Sequence, residues 1–230
     1  MKALARIVLL TMLVVFITVS AHSQENLWYE LNHKVVSLYQ QGRYSEATNV
    51  AEEALKVAEN TFGPDHPSVA TSLNNLGELY RAQGKYAEAE PLYKRALEIG
   101  EEVLGPNHPR VATFLNNLGE VYRAQGKYEE AEPLYKRALE IDEKALEPYG
   151  RDVVTSLNNL AILYHSQGRY DEAEPLYKRA LEILEESLGP EHPDVASMLD
   201  NMVELYKNIG NEDEAKRLEE RAKRIRSKTQ

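Results

Sequence analysis

The sequence predicts an all-α solenoid of five helix-turn-helix units, and two observations support this. The first is an internal repeat, because residues 63–104 and 105–146 are identical at 34 of 42 positions. The second is the helical spacing of apolar and small residues within each copy, which glycines interrupt at fixed points. One such unit cannot bury its apolar faces alone, so neighbouring copies are expected to stack.

Five copies in one frame account for most of the chain. The clearest span residues 63–104, 105–146 and 147–188, and a further copy spans residues 189–230. A degenerate copy precedes them over residues 22–62. We expect the first and last copies to be caps, because a terminal repeat turns one of its faces to water.

The copy over residues 63–104 shows how each element arises. Pro67 suits the first turn of a helix, where its missing N–H costs nothing. Gly84 breaks this first helix, and a second helix runs to Leu104, where Gly105 and a proline end it. Both helices have apolar or small residues three and four positions apart, which predicts one buried face on each. The buried positions are Leu73, Leu76, Gly77 and Tyr80 in the first helix and Ala89, Tyr93, Ala96 and Leu97 in the second.

Residues 1–21 form a predicted secretory signal peptide. Two positive side chains precede an apolar run over residues 7–19, and Val19-Ser20-Ala21 has the small residues that signal peptidase requires. We therefore predict cleavage after Ala21, with Ser23 as the second choice, and a periplasmic or secreted protein with no membrane insertion after cleavage. A retained membrane anchor is the alternative, although the run is shorter than the ~20 apolar residues of a usual spanning helix.

Composition excludes several functions. Acidic residues number 37 against 27 basic ones, and the net charge of −10 disfavours non-specific binding to nucleic acid or anionic lipid. The chain has no cysteine, which removes disulfides and thiolate chemistry. Sequence motifs of hydrolases and nucleotide-binding proteins are absent, and the carboxylates repeat with the fold, whereas catalytic groups are usually singular. We expect a protein that is not an enzyme and carries no cofactor.

Recurrent histidines are interpreted as turn residues. His66, His108 and His192 each stand before a proline at the start of a copy. They lie in separate copies, so they cannot easily meet on one metal ion, and the sequence has no HExxH motif. We therefore expect no metal site.

The buried positions carry a resemblance to a known family. Leu73-x2-Leu76-Gly77-x2-Tyr80, followed by Ala89-x3-Tyr93-x2-Ala96, resembles the tetratricopeptide repeat, with leucine in the usual tryptophan position. The period of 42, in place of about 34, is similar to that of kinesin-light-chain-like repeats. The resemblance implies a right-handed α-α superhelix in which the first helix of each copy lines a concave groove.

The resemblance places a row of polar side chains in that groove. An asparagine amide offers donors and an acceptor, so such a row suits the backbone of an extended peptide. The alternative is that one asparagine of each pair only ties adjacent helices together. Basic residues three positions after a glutamate either hold a carboxylate of the ligand or pair with that glutamate. The groove residues are predicted to be Asn74, Asn75, Glu78, Arg81, Asn116, Asn117, Glu120, Arg123, Asn158, Asn159, Ile162, His165, Asp200, Asn201, Glu204 and Lys207.

The copy over residues 147–188 departs from this pattern. Ile162 and His165 replace the glutamate and arginine of the two preceding copies. These replacements predict a less charged patch that could act as an apolar specificity pocket.

The predicted function is a protein-protein interaction scaffold or adaptor that binds a peptide or partner protein in the concave groove. The chain itself is expected to be a monomer or a weak homo-oligomer. Two alternatives stay open: a self-assembling structural protein, and a membrane-tethered accessory subunit of a cell-envelope complex. The sequence does not identify the partner, because arrays of this kind serve many unrelated ones.

Overall fold

A computed structural model describes residues 22–145 and 150–228, and all regular structure in these ranges is helical. The first helix, α1, covers residues 22–40. The predicted signal peptide over residues 1–21 lies outside the described residues. The other helices are α2 (Tyr44–Phe62), α3 (Pro67–Ala82), α4 (Tyr86–Leu104), α5 (Pro109–Ala124), α6 (Tyr128–Lys144), α7 (Arg151–Ser166), α8 (Tyr170–Leu188), α9 (Pro193–Asn208) and α10 (Glu212–Lys228).

The predicted fold class, an all-α array of helix-turn-helix repeats, is confirmed. Within each copy the first helix packs on the second: α3 on α4, α5 on α6, α7 on α8 and α9 on α10. Neighbouring copies meet where α2 packs on α3, α6 on α7 and α8 on α9. The chain divides into two compact units between Pro106 and Asn107, so that the first holds α1–α4 and the second holds α5–α10.

Repeated local signals set the ends of the helices. The recurrent histidines are the N-caps of α3, α5 and α9, and the Nδ1 of each accepts the backbone N–H two residues later, at 3.1, 3.1 and 3.2 Å. A proline follows each of them at the first helical position. Gly84 and Gly105 have φ angles of 72° and 92°, which favour glycine, and they end the first and second helices of their copy. The interpretation of these histidines as turn residues is therefore correct.

Glycine also allows the two helices of a copy to approach closely. A Cβ atom on Gly77 would lie 2.9 Å from Cζ of Tyr93, and one on Gly119 would lie 2.8 Å from Cε1 of Tyr135. Both tyrosine rings are fully buried. The missing side chains therefore make room for the rings, and each ring reaches across its copy towards a glutamate of the first helix.

Neighbouring copies fill their shared interface differently, at three positions that recur with the 42-residue period. One interface has a tryptophan with two small residues, the next has an acid with two small residues, and a third is wholly apolar. All nine side chains are buried. The sets are Trp28, Ala58 and Ser72 in the first unit, and Ala112, Asp142 and Ser156, then Val154, Leu184 and Met198, in the second.

Candidate functional site

The sixteen predicted groove residues all lie on the first helix of a copy, namely α3 in the first unit and α5, α7 and α9 in the second. Asn116 is buried, whereas Glu204 and Lys207 are exposed, and the others are half-buried. Side chains of this kind are anchored by the fold and still reach solvent. We call the surface that they form in each unit the first-helix face.

Asparagines link the first helices of neighbouring copies, and each link joins residues 43 positions apart. The Nδ2 atom of the later residue donates to Oδ1 of the earlier one. Three such links are Asn75 to Asn32 at 2.9 Å, Asn159 to Asn116 at 3.3 Å and Asn201 to Asn158 at 2.9 Å. The structural tie that the sequence left open as an alternative is therefore present.

These links leave some donors and acceptors of the amides unused. An asparagine side chain has two N–H donors and an oxygen that can accept two hydrogen bonds, and one link uses only one donor of the later residue. Within the described part of the chain, the Oδ1 atoms of Asn75, Asn159 and Asn201 accept no hydrogen bond. The three side chains are half-buried, so the amides that tie the helices can also bind a ligand.

Asn32 belongs to this row and was missed from the sequence. Its Oδ1 accepts from Asn75, and its own Nδ2 donates to the backbone oxygen of Trp28 at 2.8 Å. The signal was present, since Asn32 lies one period before Asn74. The degenerate sequence of the first copy obscured it.

The predicted charged residues of α3, Glu78 and Arg81, take part in one hydrogen-bond network. Arg81 holds both oxygens of Glu78, with Nε to Oε2 at 2.9 Å and a second nitrogen to Oε1 at 2.5 Å. The hydroxyl groups of Tyr39 and Tyr93 also donate to Glu78, at 2.8 and 3.2 Å. Burial raises the pKa of Glu78, but these partners outweigh it and hold the pKa below its ordinary value. Of the two roles considered for Arg81, the geometry shows the pairing with glutamate.

In α5 of the second unit the same network recurs. Arg123 holds Glu120 with two hydrogen bonds, at 3.0 and 2.7 Å, and the Tyr135 hydroxyl donates to Glu120 at 3.3 Å. Burial raises the pKa of Tyr135, so its hydroxyl remains a donor. The arrangement locks a tyrosine of the second helix to a carboxylate of the first.

The first-helix face of α7 lacks this network, as the sequence predicted. Ile162 is half-buried and packs against the core of the second unit. Nε2 of His165 lies 2.7 Å from Nδ2 of Asn208 on α9, and burial lowers the pKa of His165. Burial also raises the pKa of Tyr177 to about 12. Where α3 and α5 carry an ion pair on the first-helix face, α7 therefore carries the neutral side chains of Ile162 and His165.

Contacts with α10 and within α9 complete the second unit. Asp200 accepts a hydrogen bond from Arg226 of α10, and Lys207 lies 3.4 Å from Glu204. Asp200 occupies the position of the first asparagine in the other copies. The row of amides therefore ends at Asn201.

Two cavities open beside the amides. One, of about 320 Å³, lies between α1 and α3 in the first unit. The other, of about 270 Å³, lies between α7 and α9, with an apolar floor and a mouth crossed by an ion pair of Arg151 and Asp194 at 3.2 Å. Each is large enough to hold a side chain of a ligand. The first is lined by Val35, Val36, Tyr39, Gln40, Asn75, Glu78 and Leu79, and the second by Arg151, Val154, Thr155, Asn158, Leu184, Asp194, Ser197, Met198 and Asn201.

Over residues 22–145 and 150–228, no three histidine, aspartate or glutamate side chains are grouped so that they could hold a metal ion. The helices of the same ranges include none with the length and apolar character of a membrane span.

Stacked helix pairs with a half-exposed polar face on every first helix define a helical-repeat scaffold of the kind that generally binds other proteins. The profile of the tetratricopeptide-repeat family matches residues 30–101, 69–144 and 152–228. The chain belongs to this family. Among curated protein sequences, none matches the chain significantly.

Solved structures agree with this assignment. The protein BtubC (BKLC) from P. vanneervenii is 27% identical, with a TM-score of 0.77 over 92% of this chain and 89% of that one. A second structure contains tetratricopeptide-like repeats, nearly identical to one another, of a kinesin light chain from Podosopora anserina. It is 27% identical to this chain, with a TM-score of 0.73 over 88% of this chain and 96% of that one. A point-substituted form of those repeats is 26% identical, with a TM-score of 0.75 over 87% and 95%. The repeats are thus of the kinesin-light-chain-like variety.

Proposed function

We propose that this protein is a non-enzymatic adaptor that binds an extended peptide segment of a partner protein on its first-helix faces. Tetratricopeptide repeats generally bind protein partners. The observation that carries the proposal is the row of half-buried asparagines whose Oδ1 atoms have no partner among the described residues. Two of them, Asn75 and Asn201, line cavities large enough for a side chain.

The two features have different roles in binding. An extended peptide repeats N–H and C=O groups along its backbone, so amides such as Asn75 and Asn201 can bind it whatever its sequence. Selectivity then comes from the cavities. The pocket between α7 and α9 has the buried apolar floor of Val154, Leu184 and Met198, so it favours an aliphatic side chain of the ligand.

A peptide library displayed on phage provides the first test. The bait is the chain from residue 22, beside a variant with Asn75, Asn159 and Asn201 changed to alanine. If each amide contributes ~1 kcal/mol, the variant loses about 3 kcal/mol in all and binds selected peptides about a hundredfold more weakly. A control with Asn49 and Asn60 changed to alanine, both exposed on α2, should bind as the parent does.

The other outcomes point to other functions. Peptides that bind the parent and the triple variant equally would contradict binding on the first-helix faces. A chain that selects no peptide but gains mass with concentration in light scattering would favour the self-assembling scaffold. Circular dichroism of each variant establishes that it is folded.

We further propose that the protein acts outside the cytoplasm, because residues 1–21 have the charge, length and small residues of a signal peptide. We expect the exported chain to begin at His22. N-terminal sequencing or intact mass measurement of the exported protein checks this. A chain that keeps Met1 would instead support a membrane-tethered subunit.

A further inference from the structure

Asp142 is a buried acid at a position where the other copies have none. The equivalent residues are Ala58, Gly100, Leu184 and Arg226. The carboxylate of Asp142 is 4% exposed and lies near the end of α6. Burying a carboxylate is costly unless it is hydrogen-bonded, so its presence in a packed interface calls for a cause beyond packing.

Asp142 ends a chain of hydrogen bonds that starts on the first-helix face. Nδ2 of Asn159 donates to Oδ1 of Asn116 at 3.3 Å, and Nδ2 of Asn116 donates to Oγ of Ser156 at 2.7 Å. Oγ of Ser156 in turn donates to Oδ2 of Asp142 at 2.6 Å. The chain crosses from α7 to α5, returns to α7 and ends on α6, so it spans the whole interface between two copies.

The protons of these groups allow one direction only. An ionised carboxylate can accept but not donate, so Ser156 must give its single hydroxyl proton to Asp142. The Ser156 oxygen can then only accept, and the Asn116 amide must turn an N–H towards it. Oδ1 of Asn116 consequently faces Asn159 and takes an N–H from it. One acid therefore sets the orientation of two amides.

We propose that Asp142 is a positioning residue that fixes the orientation of the Asn116 and Asn159 amides and so presents Oδ1 of Asn159 to a hydrogen-bond donor of the bound peptide. The donor is a main-chain N–H of the extended segment. The ligand in this statement rests on the proposed function, whereas the orientation of the amides is a property of the protein alone.

The other links of the row supply internal comparisons. The amide of Asn32 is oriented by the backbone oxygen of Trp28, which can also only accept. Nδ2 of Asn158 has no acceptor among the described residues, and the buried positions of its interface are apolar. Asp142 therefore affects the link between Asn159 and Asn116, and not those of Asn75 and Asn201.

The test follows the side-chain NH2 signals of the free protein by NMR, with the full chain labelled with ¹⁵N. Asp142→Leu introduces the residue found at the equivalent position of the next copy. Asp142→Leu frees the Ser156 hydroxyl to donate to Oδ1 of Asn116, in which case that amide turns over and Asn159 loses its acceptor. We expect the signals of Asn116 and Asn159 to shift, and those of Asn75 and Asn201 to stay.

Two further variants complete the test. Asp142→Asn can both donate and accept, so it should populate both orientations and split or broaden the Asn116 and Asn159 signals. Glu140→Gln makes the same chemical change on the exposed side of α6, where Glu140 pairs with Lys144 at 2.6 Å, and should leave these signals in place. Unchanged Asn159 signals in Asp142→Leu, or equal shifts at Asn75 and Asn201, would overturn the proposal.

Binding is measured separately, with a library peptide that the parent protein selects. Asp142→Leu should weaken that peptide about tenfold, the cost of one misdirected hydrogen bond, while Glu140→Gln leaves it unchanged. Equal affinities for the parent and Asp142→Leu would contradict the role assigned to Oδ1 of Asn159. If no peptide is selected, the proposed function fails, while the NMR measurement still decides the orientation of the amides.

Discussion

The half-buried Glu78 and the buried Asp142 show how partners decide the chemistry of a carboxylate. Glu78 is held by the guanidinium of Arg81, and its pKa lies below the ordinary value in spite of burial. Among the described residues Asp142 has the hydroxyl of Ser156 as its hydrogen-bond partner, and burial dominates and raises its pKa, to which the nearby charge of Asp152 adds. The ionised form of Glu78 thus stabilises the fold, whereas ionisation of Asp142 weakens it.

The first prediction is a stability that depends on pH through Asp142. Its pKa is raised in the folded state, so the folded protein binds this proton more tightly than the unfolded chain. The contribution is fully present below the unfolded value, near 3.9, and is lost as pH rises through the higher folded value. Chemical denaturation across this pH range should show that loss in Glu140→Gln and not in Asp142→Asn. Parallel profiles for the two variants would contradict it.

A second prediction at this scale compares two arginines. Arg123 pairs with the half-buried Glu120, whereas Arg179 pairs with Glu143 on an exposed part of the second helices. Arg123→Gln leaves a partly buried carboxylate without its charged partner and should lower the free energy of unfolding by about 1–3 kcal/mol. Arg179→Gln should cost less than about 1 kcal/mol, since exposed ion pairs contribute little. Urea denaturation distinguishes them, and equal losses would be the opposite result.

Helices α3, α5 and α9 start in one way and α7 in another. The first three have a histidine N-cap followed by proline, whereas α7 has Gly150 as its N-cap and no side-chain cap. The cap satisfies a backbone N–H that no carbonyl of the helix can reach. The interface before α7 thus lacks a local signal that the other copies carry, and it is also the interface that contains Asp142.

A third prediction tests the histidine cap. His108→Ala removes the acceptor for the N–H of Arg110 and should cost about 0.5–2 kcal/mol of stability. His108→Asn restores an acceptor and should recover most of the loss. Thermal unfolding measures both, beside His33→Ala on the exposed side of α1 as the matched control. A loss in His108→Asn as large as in His108→Ala would show that the ring acts by packing and not by capping.

The elements were largely predictable, and their side-chain links were not. Helical spacing and recurrent glycines identify the helix pairs, because a pattern present in every copy averages out local exceptions. The amide links join residues 43 apart, one more than the period, which depends on how neighbouring first helices lie against each other. Asp142 resembles any solvated acid near a helix end until its burial is seen, and Asn32 is hidden in a degenerate copy.

At the scale of the whole molecule, the copies are alike in their helices and different in their contacts. Residues 63–104 and 105–146 are identical at 34 of 42 positions, yet the buried interface positions vary from one junction to the next. In the second unit, Asp142 is matched by Ser156, and Leu184 by Met198. At each junction, the buried side chains of one copy therefore fit those of the copy that follows it.

A fourth prediction follows from this complementarity. Deletion of residues 147–188 joins two copies in frame and sets Asp142 against Met198. Met198 has no hydroxyl that could donate a hydrogen bond to the carboxylate. The shortened chain should lose stability, and adding Asp142→Leu should recover about 1–3 kcal/mol of it, since an unpaired buried polar group is removed. The same substitution in the full chain, where Ser156 loses its partner, should give a smaller gain. Equal gains in the two backgrounds, measured by urea denaturation, would contradict junction matching.

Near-identical copies invite gain and loss of repeats, because stretches of similar coding sequence recombine out of register. The hydrogen bond between Asp142 of α6 and Ser156 of α7 makes some of these rearrangements costly. A crossover that removed the copy over residues 147–188 would preserve the helix pairs on either side, and would still leave the carboxylate of Asp142 facing Met198. The stability of the array thus depends on the order of the copies, and not only on their number, through a single buried hydrogen bond.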